Sequence, residues 1–393
     1  MEHIQFVHVF YYTTVWYVAF LFFVWGTVIF YIGSQGQKLL HSNNSPSQVL
    51  AVALSLLVTW FLGLRPVSSE FGDMWLYMRN FYHAEEAPYF IMNFRNEWLW
   101  NNITHFCRDI GMNVYEYFLT IELGYVGLSF ATAWVLTRKN LWVAMLFTFI
   151  AFQFYTYGVN GIRNGLGCAV ELLALALFVK PGTKRTIAYV LMFCALGIHR
   201  TTMLPTAAAI VSTFFIKDTK IALRFWMASI VVSLVAGPLV EQFFGALGFD
   251  DRLVSYSQHQ MDTAYMEKNF SRTGFRWDFL LYSAMPVAMI WYVTKWRRFN
   301  DKTFSLIANT YLLCNAFWIM VIRASFSNRF AYLSWFMYPV VFYYPLLRMN
   351  LWEDQDRKTA LILFLYSFFT FFMFFIYYFG TTGFKGFDQL WWR

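Results

Sequence analysis

Long apolar runs follow one another along most of the chain, and short polar segments separate them. Twelve runs can be distinguished, and most approach the roughly 20 residues that a helix needs to cross a hydrocarbon core of about 30 Å. This pattern predicts an all-α fold, a polytopic membrane bundle of about 12 transmembrane helices, in a single integral membrane domain, residues 1–393. The runs are 8–32, 46–64, 115–137, 141–158, 165–180, 186–199, 202–216, 225–246, 277–294, 304–322, 330–347 and 359–379.

Two of these runs, 186–199 and 202–216, are short for a membrane span and could instead form one 31-residue helix. Cytoplasmic loops of membrane proteins carry an excess of Lys and Arg. A hairpin of two helices places the basic residues after the second run on the same side as Lys184 and Arg185, whereas a single helix separates them. The charge pattern therefore favours a hairpin and leaves both chain termini outside.

The composition agrees with a lipid environment. Hydrophobic residues make up 59% of the chain and charged residues only 13%, whereas a soluble domain carries about 25% charged residues. This balance excludes a soluble or disordered chain. The four cysteines are too few for a disulfide framework, and three of them lie in apolar runs, where they behave as small hydrophobic residues.

Lysine and arginine are distributed differently across this predicted topology. Nine Lys and seven Arg fall inside, whereas two Lys and twelve Arg fall outside. The guanidinium group is a planar fork that binds phosphate through two parallel hydrogen bonds. The external Arg residues therefore indicate an anionic ligand, such as a lipid phosphate or pyrophosphate, although any one of them could also snorkel or pair with an acid in an ordinary loop.

The first long external segment, 65–114, contains two helical patterns. Asp73, Tyr77 and Phe81 recur at every fourth residue, and apolar residues follow the same spacing across 95–110. This spacing is typical of a helix, and its aromatic content is typical of a membrane interface. We therefore predict amphipathic interfacial helices in this external segment.

Carboxylates occur where the second span leaves the membrane. Arg65, Glu70 and Asp73 lie together there in sequence, and a carboxylate near an Arg could act as a general base or accept a hydrogen bond from a sugar hydroxyl. Asp73 could equally cap the helix that follows it. The second long external segment, 247–276, has mixed charge and could contact an acceptor glycan.

Arg163 and His199 are the strongest candidates for chemistry. Arg163 begins a span whose first turn contains Gly165 and Gly167, and the backbone N–H groups at a helix start favour anions. His199, followed by Arg200, lies at the predicted outer tip of the hairpin, where an imidazole can exchange a proton near neutral pH. The alternatives are a snorkelled Arg163 on a glycine-packed helix and a buried His199 bonded to a carbonyl.

Arg323 and Arg329 are the two end residues of a seven-residue external turn. They could close a phosphate cage with Arg163 or be ordinary turn charges. The chain contains no phosphate-binding Gly-rich loop, no H-E-x-x-H motif and no Cys/His spacing typical of a metal site. We therefore expect no metal, no cofactor and no nucleic acid partner, and the energy for any reaction must come from the substrate or from a gradient.

Four short motifs, in order along residues 50 to 350, resemble those of the EpsG family, which is related to the Wzy polysaccharide polymerases. The first is an Arg after an early span, here Arg65, followed by Gly-Asp-x-x-x-Tyr-x-x-x-Phe, here with Asp73 and Tyr77. The second is a span that begins Arg-Gln-x-Leu-Ala. Here it begins with Arg163, and Asn164 stands where the family has Gln.

The third motif is Phe-His-x-(Ser/Thr), here with Ile198 before His199, and the fourth is Arg-x-x-Tyr, here Arg329 to Tyr332. The resemblance implies a metal-independent membrane glycosyltransferase of the GT-C type. Such an enzyme joins polyprenyl-pyrophosphate-linked oligosaccharide repeats into capsular, exopolysaccharide or O-antigen chains. It acts at the external face of the bacterial inner membrane, with a chain-length regulator and a flippase as partners.

On this hypothesis Arg163, with Arg323 and Arg329, holds the donor pyrophosphate, and His199 or Asp73, with Glu70 as a third candidate, deprotonates the acceptor hydroxyl. Arg65 and Arg200 orient the acceptor or the second pyrophosphate, and the remaining substrate contacts are Tyr77, Asn164 and Tyr332. The alternatives are a glycan ligase, a membrane O-acyltransferase and a 12-span transporter or flippase. The sugars, the linkage and the stereochemical outcome stay open.

Overall fold

The structure is a computed structural model that describes residues 7–33, 45–84, 97–138, 140–246, 274–324 and 327–378. Regular structure in these ranges is helical, and no strand occurs in them. The first eight helices are α1 (Val9–Gly33), α2 (Ser45–Gly63), α3 (Met74–Tyr82), α4 (Trp98–Asp109), α5 (Val114–Leu136), α6 (Leu141–Phe149), α7 (Phe152–Val159) and α8 (Ile162–Phe178). The others are α9 (Thr183–Ile198), α10 (Met203–Phe214), α11 (Thr219–Ala246), α12 (Trp277–Trp291), α13 (Lys302–Met320), α14 (Asn328–Trp335), α15 (Tyr338–Arg348) and α16 (Gln355–Tyr378).

Six helical segments of the described ranges are long and apolar enough to cross a membrane, and there are seven if one bent pair forms a single span. All twelve apolar runs contain helix, which confirms an all-helical membrane protein. The total of twelve spans and the GT-C-like arrangement stay predictions. The qualifying segments are α1, α5, α11, α13, the stretch of α14 and α15, and α16, with α6 and α7 as the bent pair.

The predicted run 141–158 is divided into two helices. Ala151 adopts an extended backbone, with ψ at 133°, and α6 and α7 meet at an angle of 70°. The two short runs 186–199 and 202–216 are also separate helices, because α9 ends at Ile198 and a 3-10 turn precedes α10. Their arrangement as a hairpin stays a prediction.

The chain divides into two compact units. The first comprises Met1–Arg200 with Phe342–Arg393, and the second comprises Thr201–Val341. The prediction of a single membrane domain stays a prediction. Residues 247–273, which form most of the second external segment, lie outside the described residues.

In the first unit, α8 packs along α9 and against α5, and α5 packs against α2. Gly63 shows how closely α2 and α5 approach, because a Cβ at this position would lie 2.9 Å from the Cα of Leu119. Small residues allow such close contact between helix backbones. The tight bundle fixes the ends of α8 and α9, and the candidate site lies at one of those ends.

In the second unit, Asn315 on α13 connects four helices. Its amide nitrogen donates to Ser283 Oγ on α12 at 3.1 Å and to Ser334 Oγ on α14 at 2.9 Å, and its oxygen accepts from Trp226 Nε1 on α11 at 2.8 Å. A buried amide must be hydrogen-bonded to offset its desolvation. This network therefore fixes how the helices of the second unit pack.

Candidate active site

The centre of the candidate site is a carboxylate that contacts two of the predicted catalytic residues. Oε2 of Glu97 pairs with Nη1 of Arg163, and Oε1 of the same carboxylate contacts Nδ1 of His199. One carboxylate thus connects two residues that are far apart in the sequence. We call Glu97, Arg163 and His199 the Glu97 cluster.

Each member of the Glu97 cluster lies at the end of a helix. Glu97 occupies the N-cap position of α4, and Arg163 is in the first turn of α8. His199 follows the last residue of α9 in an extended conformation, with φ −149° and ψ 119°. Because α4 packs on α9 and α9 packs on α8, the three helix ends converge.

The Glu97 cluster is only partly open to the surroundings. The side chains of Arg163, Glu97 and His199 are 22%, 15% and 7% exposed. Nε of Arg163 is buried and has no hydrogen-bond partner in the described residues. A buried donor without an acceptor is costly, and an anionic group that entered here would satisfy it.

Aromatic side chains support the Glu97 cluster. The guanidinium carbon of Arg163 lies 5.9 Å from the ring centroid of Tyr77, within the range of a cation–π contact. Trp98 packs against Gly197, where a Cβ would come within 2.7 Å of the indole ring. Glycine at this position therefore lets α4, and Glu97 with it, approach the end of α9.

Asp73 lies at the N-cap position of α3 but does not cap the helix through its side chain. Its side chain is exposed and makes no capping hydrogen bond, while its backbone N–H donates to Asn160 Oδ1 at 2.9 Å. Gly72 has a φ of 65°, and a Cβ there would overlap with the Asn160 side chain. Asn160, which lies just before the first residue of α8, thus fixes the position of the start of α3.

Arg65 is completely buried. Its side chain is 0% exposed and pairs at 3.2 Å with Glu122, which is 1% exposed. The guanidinium also donates to the backbone carbonyls of Leu62 and, at 3.4 Å, of Val159. These contacts connect the end of α2 with α5 and α7, and they favour a stabilising role over the predicted contact with the acceptor, which stays a prediction.

Arg323 lies against a kink in α11. Ala236 departs from helical geometry there, with a φ of −130°, and Pro238 follows it. Nη1 of Arg323 donates to the backbone carbonyl of Ser233, and a Cβ on Gly237 would overlap with the guanidinium. Pro238 cannot donate to the carbonyl of Leu234, four residues before it, and Arg323 supplies a donor to the neighbouring carbonyl of Ser233.

The other predicted contacts are dispersed over the two units. Arg200 is exposed at the start of the 3-10 turn, and Glu70 is exposed in the turn before α3. The amide oxygen of Asn164 lies 3.4 Å from Cys168 Sγ on the next turn of α8. Arg329, half-buried, and Tyr332, buried, belong to α14 in the second unit, and their joint action with Arg163 stays a prediction.

Glu97 was missed by the sequence reasoning, although a signal for it exists. It is the acidic residue directly before Trp98, where the second amphipathic pattern begins, and acids are favoured at helix starts. Its partner His199 is 102 positions away. Within the described ranges, no three His, Cys, Asp or Glu side chains are grouped as the ligands of a metal would be.

The comparison with protein families agrees with the motifs. No curated protein and no solved structure shows significant similarity to the chain. The sequence model of the EpsG family matches residues 48–387, which is most of the chain and includes every member of the Glu97 cluster. This family is associated with glycosyltransferase-like polysaccharide polymerases. The chain is a multi-pass membrane protein and belongs to the EpsG family.

Proposed function

We propose that this protein is a polysaccharide polymerase that joins polyprenyl-pyrophosphate-linked oligosaccharide repeat units by glycosyl transfer to a sugar hydroxyl, at the external face of the bacterial inner membrane. The observation that carries the proposal is the contact of one carboxylate, Glu97, with both Arg163 and His199. A base and a cation are thereby held together at one partly open site.

His199 is the proposed general base. A carboxylate on Nδ1 holds the proton of a neutral imidazole on that nitrogen and leaves the lone pair on Nε2. Nε2 removes the proton of the acceptor hydroxyl as the hydroxyl oxygen attacks the anomeric carbon of the donor. The bond between that carbon and the pyrophosphate oxygen breaks, and the electron pair leaves with the polyprenyl pyrophosphate.

Arg163 is the proposed partner of the leaving group. With His199 neutral, Glu97 and Arg163 cancel in charge, and the Glu97 cluster becomes cationic when His199 takes the proton. The positive charge therefore develops in the same step in which the pyrophosphate gains negative charge, which favours the transition state. The unpaired Nε of Arg163 gives a donor for one phosphate oxygen.

The experiment is mass spectrometry of lipid-linked oligosaccharides in a strain without the gene and in the same strain after complementation. We expect one repeat unit on polyprenyl pyrophosphate to accumulate, exposed outside, and to disappear when the gene is restored. A repeat unit trapped inside would instead indicate a flippase. Lipid-linked polymer that fails to reach its final acceptor would indicate a ligase, and an unchanged pool would favour the O-acyltransferase.

A further inference from the structure

A cavity in the first unit lies at the other end of the helices that carry the Glu97 cluster. Its volume is about 810 Å³, and its wall includes Leu177 at the end of α8 and Lys184 at the start of α9. The 17 residues of α8 correspond to a length of about 25 Å. The cavity is therefore separate from the Glu97 cluster.

The wall of this cavity is strongly basic. Four cationic side chains, Arg138, Lys180, Lys184 and Arg348, line it together with one carboxylate, that of Asp356. The positive-inside pattern assigns these four cations to the cytoplasmic side. Basic pockets between helices on that side are typical of sites for anionic lipid headgroups.

The remaining wall is apolar enough for a lipid. Trp134, Leu177 and Leu346 line the cavity, and Trp134 is 38% exposed. Tryptophan is favoured at the boundary between lipid and water. A free phosphate ion would use the cations alone, whereas a phospholipid also uses this apolar surface.

The wall also contains the side-chain amide of Asn140. Asn140 is 8% exposed, and its Oδ1 is buried with no hydrogen-bond partner in the described residues. A side-chain amide oxygen accepts hydrogen bonds, and a hydroxyl on the headgroup would supply the missing donor. Asn140 has a φ of 53°, a backbone conformation that Asn and Gly tolerate.

We infer that this cavity binds an anionic phospholipid whose phosphate contacts the four cations and whose headgroup hydroxyl donates to Asn140. Phosphatidylglycerol has this chemistry. The bound lipid fills the space between the ends of α5, α8 and α15 and holds them at a fixed separation. The cavity is thus a binding site for a membrane lipid, at the opposite end of α8 and α9 from the Glu97 cluster.

Native mass spectrometry of the purified full chain in detergent tests this inference, with phosphatidylglycerol, phosphatidic acid or phosphatidylcholine added as the probe. We expect phosphatidylglycerol to bind about tenfold more tightly than phosphatidylcholine. The Lys180→Ala/Arg348→Ala variant should lose about tenfold to thirtyfold of that affinity, because each basic residue contributes to the attraction of anionic lipid.

The matched control is Lys220→Ala/Arg224→Ala, which removes the same charge from α11, outside the cavity. Equal losses in the two double variants, or equal binding of phosphatidylcholine, would overturn the inference. Complete displacement of the lipid by inorganic phosphate at an equal concentration would assign the cavity to a free anion instead.

Asn140→Gly tests the hydroxyl contact without backbone strain. We expect it to weaken the binding of phosphatidylglycerol several-fold and to leave that of phosphatidic acid, which has no alcohol group esterified to its phosphate, unchanged. Equal weakening of both lipids would contradict the role assigned to Asn140.

Discussion

Two arginine–carboxylate pairs among the described residues of the first unit differ in exposure. Arg65 and Glu122 are 0% and 1% exposed, whereas Arg163 and Glu97 are 22% and 15% exposed, and Glu97 also contacts His199. A wholly buried pair contributes to the specificity of packing and has no surface for a ligand. A partly open pair with a third ionisable group can exchange a proton and bind an anion, so burial separates the two roles.

The largest expected effect is a loss of stability when the buried pair of Arg65 and Glu122 is broken. Arg65→Ala leaves the Glu122 carboxylate buried without its partner, and removing one member of such a pair costs about 3–5 kcal/mol. We expect a marked fall in the thermal unfolding midpoint of the protein in detergent. The double variant Arg65→Met/Glu122→Leu should recover most of the loss, and a double variant as unstable as the single one would contradict this account.

Arg163→Lys tests the open pair and keeps the charge. Lysine lacks the planar fork that binds phosphate with two hydrogen bonds, and loss of one donor to the developing negative charge costs about 10²–10³ in rate. We expect short or absent polymer on gel electrophoresis with a nearly unchanged unfolding midpoint. Arg79→Lys, an exposed substitution on α3, is the control, and wild-type polymer length in Arg163→Lys would refute the assignment.

A smaller effect is expected at Gly197, which supports the Glu97 cluster from outside it. A Cβ added at this glycine would come within 2.7 Å of the Trp98 ring, and overpacking of this kind costs about 1–3 kcal/mol of stability. Gly197→Ala should displace Trp98 with the adjacent Glu97 and lower both the unfolding midpoint and the polymerisation rate. Gly127→Ala is the matched control, because nothing lies within 4 Å of its Cβ position and alanine favours a helix.

The sequence predicts the positions of the helices better than it predicts the bends that interrupt them. Apolar runs locate the membrane helices, because a lipid-facing or buried helix must be apolar. The four-residue spacing within 65–114 locates α3 and α4. The bend between α6 and α7 has no such signal, since Ile150 and Ala151 continue the apolar run without a proline or glycine. Tertiary packing decides whether such a run stays straight.

Two residues of the candidate site, Arg163 and His199, could be predicted from the sequence. Its central residue, Glu97, could not. Arg163 and His199 have local motifs, whereas Glu97 acquires its role only from contacts with residues distant in sequence. The same limit applies to Arg65, whose partner Glu122 is 57 positions away. The sequence shows that an arginine lies near a membrane boundary, but only the packed structure shows which carboxylate pairs with it.

The most direct test of the account is the polymerisation rate of purified His199→Gln with lipid-linked repeat units as the substrate. Glutamine keeps a hydrogen-bonding group and loses the base, and loss of a general base costs about 10²–10⁴ in rate. The account predicts a loss of at least about 100-fold, with His83→Gln, an exposed position, at the wild-type rate. A near-normal rate for His199→Gln would contradict the account and transfer the base to Asp73.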